Sequence, residues 1–417
     1  MDQVHVRRIR QIFDEGKLVD PVGAVSSELA RIGLSDRVRP GMRIGVTAGS
    51  RGIANISLII KRISDEVKQC GGEPFVLAAM GSHGGGTPEG QQEILAGYGI
   101  TEENIGAPIV SSMDVVELGR LQNGLKVYFD RTALESDGVI VLNRVKTHTA
   151  FKSDIESGLC KMISVGLGNH EGARLVHSLG VPGLMDYMVQ FAALILSRAP
   201  IVCGLGILEN AYDQTRRIKA GGPDEIMEID RELLWEWKQL APKLPVSKVD
   251  VLFIQQIGKN ISGTGMDTNV VGGVKGFKPG EYTPPEIKKI IVQDISAQSK
   301  GNALGMGIAD LITRKAYDKI DFKATYTNTV TATFLDRAKL PMVAETDREA
   351  FELALNTCWN LPGVLPRVVV LKNTLKLSEM YVSKSVWEEI AYRPEIEAAS
   401  DWEELPFDAN GELMLSL

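Results

Sequence analysis

The chain has 417 residues, with 46 Lys and Arg against 53 Asp and Glu, a formal net charge of −7. Its 44% hydrophobic content is ample for a packed core, and the length favours two domains over one. An acidic chain with no basic run argues against a nucleic-acid partner, because phosphate recognition needs a concentrated Lys/Arg surface.

Residues 42–48, 74–79 and 138–143 are short apolar runs of the kind that buried parallel strands show. Between the first two, Ile53, Ile56, Leu58, Ile59, Ile60, Ile63 and Val67 recur at roughly helical spacing and predict a helix over 53–70. The β-α-β alternation predicts an α/β fold. A helix over 181–198 opens on Val181-Pro182 and leads into a strand over 200–207. The stretch 209–248 is more polar, with an acidic, Trp-bearing helix at 224–240. A new strand over 249–254 places the domain change near 245. A strand at 287–293, a glycine-rich helix from Gly301 to Lys315, a helix from Thr346 to Cys358 and a strand at 367–372 make the second unit α/β as well. The expected organisation is an N-terminal α/β domain over 1–245 that bears the cofactor and catalytic residues, and a C-terminal α/β domain over 246–399. A tail over 400–417 is expected to return to the N-terminal domain. The fold class is two α/β domains with an active-site cleft between them, a usual place for a small-molecule site.

The four cysteines Cys70, Cys160, Cys203 and Cys358 are far apart, with no CxxC pair, and are expected as reduced thiols. The segment from Met1 to Arg8 lacks the apolar stretch of a signal peptide, and the run around Met188 to Leu196 is too short to span a bilayer. A soluble, cytoplasmic protein with no membrane partner is expected.

Histidine is scarce, with five in the chain: His5, His83, His148, His170 and His177. His5 falls on an expected N-terminal helix with Arg7, Arg8 and Arg10 and reads as surface. His83 lies in Gly81-Ser82-His83-Gly84-Gly85-Gly86-Thr87-Pro88, directly after the strand at 74–79, with Thr87 as the cap of a following helix and Pro88 in its first turn. In an open α/β sheet that edge is where ligands bind, and histidine suits proton transfer near neutral pH. His148 follows the strand at 138–143 in Lys146-Thr147-His148, and the chain continues through Lys152 and Lys161 to His170 and His177. Gly166 and Gly168 break any single helix across that interval. Catalytic zinc usually takes a close histidine pair, whereas His170 and His177 are seven apart, so an ordinary zinc site is disfavoured. Gly49-Ser50-Arg51-Gly52 follows the first strand and opens the helix at 53–70, where backbone amides and the Arg51 fork can hold an anion.

In combination these segments resemble the nickel-dependent lactate racemase family, the LarA-like 2-hydroxyacid racemases and epimerases. The likeness rests on Ser50-Arg51 at the first turn, Gly81-Ser82-His83, the pair His148 and Lys161, and His177 further on. It implies that Lys161 tethers a nickel pincer nucleotide (nickel-pyridinium-3,5-bisthiocarboxylic acid mononucleotide) through a thioamide, with Ser50 also at the cofactor. His177 completes the nickel coordination, His83 and His148 form the acid/base pair, and Arg51 holds the substrate carboxylate. The segment Gly263 to Asn269 resembles the second domain's contribution, with Lys275 as a further substrate contact. The activity implied is inversion at C2 of a 2-hydroxy acid by reversible hydride transfer through a 2-keto acid. The partners implied are that small substrate and cofactor-synthesis proteins, with room for a homo-oligomer.

Two departures stand out. The Asp expected before the Thr/Ser-Arg turn is Ala48, and the interval from His148 to Lys161 is longer than in lactate racemase, with Lys152 inside it. Lys161 is preferred over Lys152 as the tether for its spacing to His177. Two other classes stay open at this point, a metal-dependent hydrolase or lyase and a non-catalytic ligand-binding or cofactor-handling protein.

Overall fold

The computed structural model describes residues 4–417; Met1, Asp2 and Gln3, the first residues of the segment read for a leader, lie outside them. Two compact units divide the chain. One is Asp14–Ala241, and the other joins the segment up to Phe13 with Pro242–Leu417. The division therefore falls close to the expected 245, but the described residues 4–13 go with the C-terminal unit.

Asp14–Ala241 is built on a sheet that has six strands among the described residues. Their order is Ile109–Val110, Glu73–Ala78, Arg43–Ala48, Gly138–Arg144, Ile201–Glu209 and Thr215–Gly221. The first five run parallel and the last is antiparallel. The chain thus builds outward from Arg43–Ala48 on one side and then reverses to Gly138–Arg144 on the other, so these neighbours form the sheet's switch point. The helix Ile56–Gln69 buries Ile56, Ile59, Ile60, Ile63 and Val67 on the sheet, while Leu58 lies on the opposite, exposed face. It begins three residues later than expected, because 53–55 form a turn whose Ala54 N–H donates to Glu209 Oε1 at 2.6 Å.

The predicted helix over 181–198 is a run of three pieces, Gly180–Pro182, a π-turn at Gly183–Tyr187 and Met188–Leu196. Within the stretch read only as polar, Thr215–Gly221 is a strand. Its outward Arg217 and Lys219 pair with Glu232 and Glu236 of the helix Ile226–Leu240, which is why its composition hides its geometry.

The other unit carries a sheet with nine strands among the described residues. Met342–Ala344, Leu311–Thr313, Glu286–Val292, Lys248–Ile254 and Val368–Asn373 run parallel, and Lys376–Ser383, His5–Gln11 and Ile396–Ala398 continue the sheet antiparallel. Three expectations are corrected here. The His5 segment is a strand, not a helix: Val6 and Ile9, three apart as on a helical face, are buried in different clusters on opposite sides of the sheet. The span from Gly301 to Lys315 is not one helix. Gly301 and Gly305 take φ of 76° and 101°, and a short 3₁₀ turn, the strand Leu311–Thr313 and the start of helix Arg314–Tyr317 follow. Gly305 is also irreplaceable by size, since a Cβ there would lie 1.8 Å from the Thr264 carbonyl oxygen.

The tail does not return to the N-terminal domain. Glu403–Glu404 pairs with His5 and Val6, and Leu405, Leu413 and Leu415 are buried with Val251 and Phe253 of the C-terminal unit. Gln255 Nε2 donates to the Leu415 carbonyl at 2.8 Å, and the Leu413 N–H donates to Asp347 at 2.8 Å. Truncation after residue 399 should therefore lower stability by on the order of 5 kcal/mol, from three buried leucines at roughly 1.5–3 kcal/mol each. Urea unfolding followed by far-UV circular dichroism checks this; an unchanged midpoint would show that the tail is not part of the core.

Candidate active site

The switch point sets the geometry. Arg43–Ala48 and Gly138–Arg144 are hydrogen-bonded parallel neighbours, and Glu73–Ala78 lies on the far side of the first. The turns carrying Ser50 and Arg51, His83, and His148 therefore leave one edge of the sheet.

His83 sits on a turn that only glycine permits. Gly84, Gly85 and Gly86 all take φ between 66° and 69°, and a Cβ on Gly84 would lie 2.6 Å from the Gln91 nitrogen. Thr87 caps the helix Pro88–Gly97, accepting from the Gly90 N–H at 3.2 Å, with Pro88 in the first turn as expected. The His83 Nδ1 lies 2.9 Å from the Met80 carbonyl oxygen. A carbonyl only accepts, so Nδ1 carries the proton and Nε2 holds the lone pair in the neutral ring. The turn is tied to the segment beyond Lys161, because the Gly81 N–H donates to the Gly166 carbonyl at 3.2 Å and Gly86 lies against the His170 ring. That gives His170 a packing place.

His148 has the opposite arrangement. Its Nδ1 accepts from the Ala150 N–H at 3.1 Å, which leaves the proton of the neutral ring on Nε2. Its own N–H donates to Glu156 Oε2 at 2.6 Å. Glu156 is buried and also receives Lys152 Nζ at 3.4 Å and Lys238 Nζ at 3.2 Å. Lys152, 4% exposed, donates to the His148 carbonyl at 3.0 Å as well. It is thus engaged in holding the His148 loop.

Lys161 ends the three-residue helix Leu159–Lys161, followed by a π-turn at Met162–Gly166 and the helix Asn169–Ser178 that carries His177. The break expected at Gly166 and Gly168 is completed by Asn169, buried at φ 48° with its amide donating to Asp130 at 2.7 Å. Burial lowers the Lys161 ammonium to about 8, and the charges of Arg51 and Lys146 push the same way. Burial lowers His177 to about 4, with the charge of Lys161 adding to it. Arg51 is accessible at its surface yet desolvated by surrounding protein, which lowers its guanidinium; nearby Arg144 adds to the effect. Such groups, reachable by solvent but ringed by protein, line a concave surface.

Lys161 thus lies within electrostatic range of Arg51, of Lys146, which reads from sequence as solvated, and of His177, while Arg51 is within range of Arg144, which the sequence did not single out. Arg144 pairs with Glu209, and Glu209 also holds the Ala54 amide of the Arg51 turn. An acid closing the otherwise apolar strand Ile201–Glu209 was the available signal. The Ser50 carbonyl accepts from the Tyr98 hydroxyl at 3.1 Å. The expectation that this turn opens a helix is corrected, since the helix starts at Ile56 and the Ala54 amide is already taken. Lys275 lies in the C-terminal unit and pairs there with Asp336. Burial and Asp230 raise the Cys160 thiol well above its usual range, so it is no nucleophile. Among the described residues no three His, Cys, Asp or Glu side chains gather to hold a metal ion, and no helix is long and apolar enough to cross a membrane.

Basic and imidazole groups thus stand on the switch-point edge of a mostly parallel sheet. Residues 23–181 match the family model of the lactate racemase N-terminal domain, a span that holds Arg51, His83, His148, Lys161 and His177. The chain is also similar to the lactate racemase apoprotein from Thermoanaerobacterium thermosaccharolyticum, at 15% identity and a TM-score of 0.54, over 87% of this chain and 93% of that one. A likeness to SsfS6, a Streptomyces sp. SF2575 glycosyltransferase, has 10% identity over 76% of this chain and 85% of that one, and its TM-score of 0.16 carries no argument. No curated protein matches the sequence. Residues 23–181 thus carry a lactate racemase N-terminal domain, in a chain whose fold is that of the lactate racemase apoprotein.

The lowered Lys161 gives a pH signature. Its folded value, about 8, lies below the ordinary 10.5, so the folded chain binds fewer protons between these limits and stability rises with pH across that window. Denaturant midpoints of the wild type should therefore gain on Lys161→Met between pH 8 and 10.5 and run parallel to it below 8. Parallel curves throughout would contradict the desolvated amine.

Proposed function

We propose that the protein is a LarA-like 2-hydroxyacid racemase or epimerase that uses a nickel pincer nucleotide. The observation that carries this reading is that Lys161 lies within electrostatic range of both Arg51 and His177 inside the lactate racemase N-terminal domain. The donor chemistry fits the group. A lysine whose amine is neutral in part near pH 8 can form a thioamide, and an imidazole kept neutral down to about pH 4 is a ready nickel ligand. Lys152 is ion-paired to Glu156, which supports Lys161 as the tether.

When bound, the pincer nucleotide supplies an acceptor for the C2 hydrogen as hydride. The chain does the rest. Arg51 binds the substrate carboxylate through its fork and fixes the plane about which C2 turns. His83 carries its neutral-ring lone pair on Nε2 and His148 its N–H on Nε2, so the rings are set in opposite senses, one to accept the 2-hydroxyl proton and one to hydrogen-bond the same oxygen; a ring returns a proton only as imidazolium. One histidine takes that proton as the 2-keto acid forms, and the other returns a proton for the opposite enantiomer. Lys146 and Arg144 add positive charge suited to the anionic groups of cofactor and substrate. The cofactor requires synthesis proteins, and a cytoplasmic setting accords with the four free thiols.

Protein produced alongside the cofactor-making machinery should exceed its apo mass by one nickel-pincer increment, and Lys161→Ala should abolish both the increment and the activity. His83→Ala and His148→Ala should each cut inversion by roughly 10²-fold or more while the increment stays. Full activity in Lys161→Ala, or activity with zinc alone, would refute the proposal.

A further inference from the structure

Asp230 has no part in the chemistry above, yet it is 1% exposed and faces the start of the segment that carries Lys161. Its Oδ1 accepts the Leu159 N–H at 2.7 Å and its Oδ2 accepts the Cys160 N–H at 2.8 Å. We propose that Asp230 is the positioning residue for Lys161: from the helix Ile226–Leu240 it clamps the first two amides of Leu159–Lys161 and so sets where that side chain emerges.

The inference rests on Lys161 being the tether, and three features of the chain carry it. First, a helix of three residues has no register of its own, because nucleation costs more than one turn returns. The π-turn that follows is wider and locks the segment no better. An outside anchor is needed, and Asp230 supplies it. Second, the entry is shaped around that carboxylate. A Cβ on Gly158 would lie 2.2 Å from Asp230 Oδ1, so only glycine fits. The Gly158 carbonyl is held by Asn143 Nδ2 at 2.7 Å, and the Cys160 carbonyl by Ser164 Oγ at 2.7 Å.

Third, the carboxylate is costly to keep. Burial raises Asp230 to about 6, and its hydrogen-bond partners are the Leu159 and Cys160 amides and the Cys160 thiol, with the charge of Arg231 opposing the rise but no ion pair formed. Asparagine would avoid that cost but offers one acceptor oxygen where two amides donate. The same device recurs beside it. Buried Glu156 accepts the His148 amide and buried Glu209 the Ala54 amide near Arg51, each at 2.6 Å, but both of those acids also meet cations. Asp230 is the case in which ion pairing does not account for the acid.

The test uses the full chain without cofactor, so it does not depend on the assigned activity. Wild type, Asp230→Ala, Asp230→Asn and Gly158→Ala are treated briefly with an acetylating N-hydroxysuccinimide ester at pH 8. Lys161 acetylation is then read by peptide mass spectrometry against the exposed Lys248. Asp230→Ala and Gly158→Ala should lower the Lys161 to Lys248 ratio by about 10-fold, and Asp230→Asn, which keeps one acceptor, should recover part of it. Co-production with the cofactor machinery should show the same ranking in the mass increment. If Asp230→Ala does not fold, Asp230→Asn and Gly158→Ala decide alone. A wild-type ratio in every variant overturns the proposal. A wild type that never gains the increment, but whose Lys161 acetylation still depends on Asp230, upholds the positioning role and refutes the racemase reading instead.

Discussion

Parallel pairing of Arg43–Ala48 with Gly138–Arg144 is the constraint on which the site depends. Ile44 sits opposite Gly138 and Val46 opposite Ile140, so both strands end at the same edge. Parallel strands need crossovers, and here the crossovers run to opposite sides of the starting strand, which leaves a crevice where the order reverses. Residues almost a hundred positions apart, Arg51 and His148, leave the sheet together because of this register. A one-residue slip would move each strand's alternate side chains to the other face.

Charge is then concentrated where the topology leaves room. The chain is acidic overall, yet Arg51, Arg144, Lys146 and Lys161 share this edge: the charge of Arg144 adds to the lowering of Arg51, and those of Arg51 and Lys146 to the lowering of Lys161. Buried acids stand behind them. Glu209 meets Arg144, Glu156 meets Lys152 and Lys238, and Asp230 takes two amides. Acids that bind backbone fix loops. The opposite ring arrangements of His83 and His148 come from the same local control, one ring bonded to a carbonyl and the other to an amide.

Much of this was legible in the sequence wherever one physical pattern dominated. The buried strands ending at Ala48, Ala78 and Arg144 are continuous apolar runs, and the helix Ile56–Gln69 shows its face at helical spacing. Thr87-Pro88 announced its cap because that chemistry is local. The failures lie where tertiary pairing decides. The His5 segment is a strand only because Lys376–Ser383 and the tail sit beside it. The span from Gly301 to Lys315 breaks because Gly265 and Gly305 meet backbone at less than 2 Å from any added Cβ. Glu156 and Asp230 were invisible as positioning groups, since a buried acid and a solvated one look alike in sequence.

In the proposed racemisation C2–H leaves and returns as hydride at one carbon. The most direct measurement follows an enantiopure 2-hydroxy acid carrying deuterium at C2, in ordinary water, with cofactor-loaded protein and chiral chromatography coupled to mass spectrometry. With hydride transfer the opposite enantiomer appears with its deuterium retained. Inversion with loss of deuterium to solvent would mean proton abstraction at C2, and would contradict it.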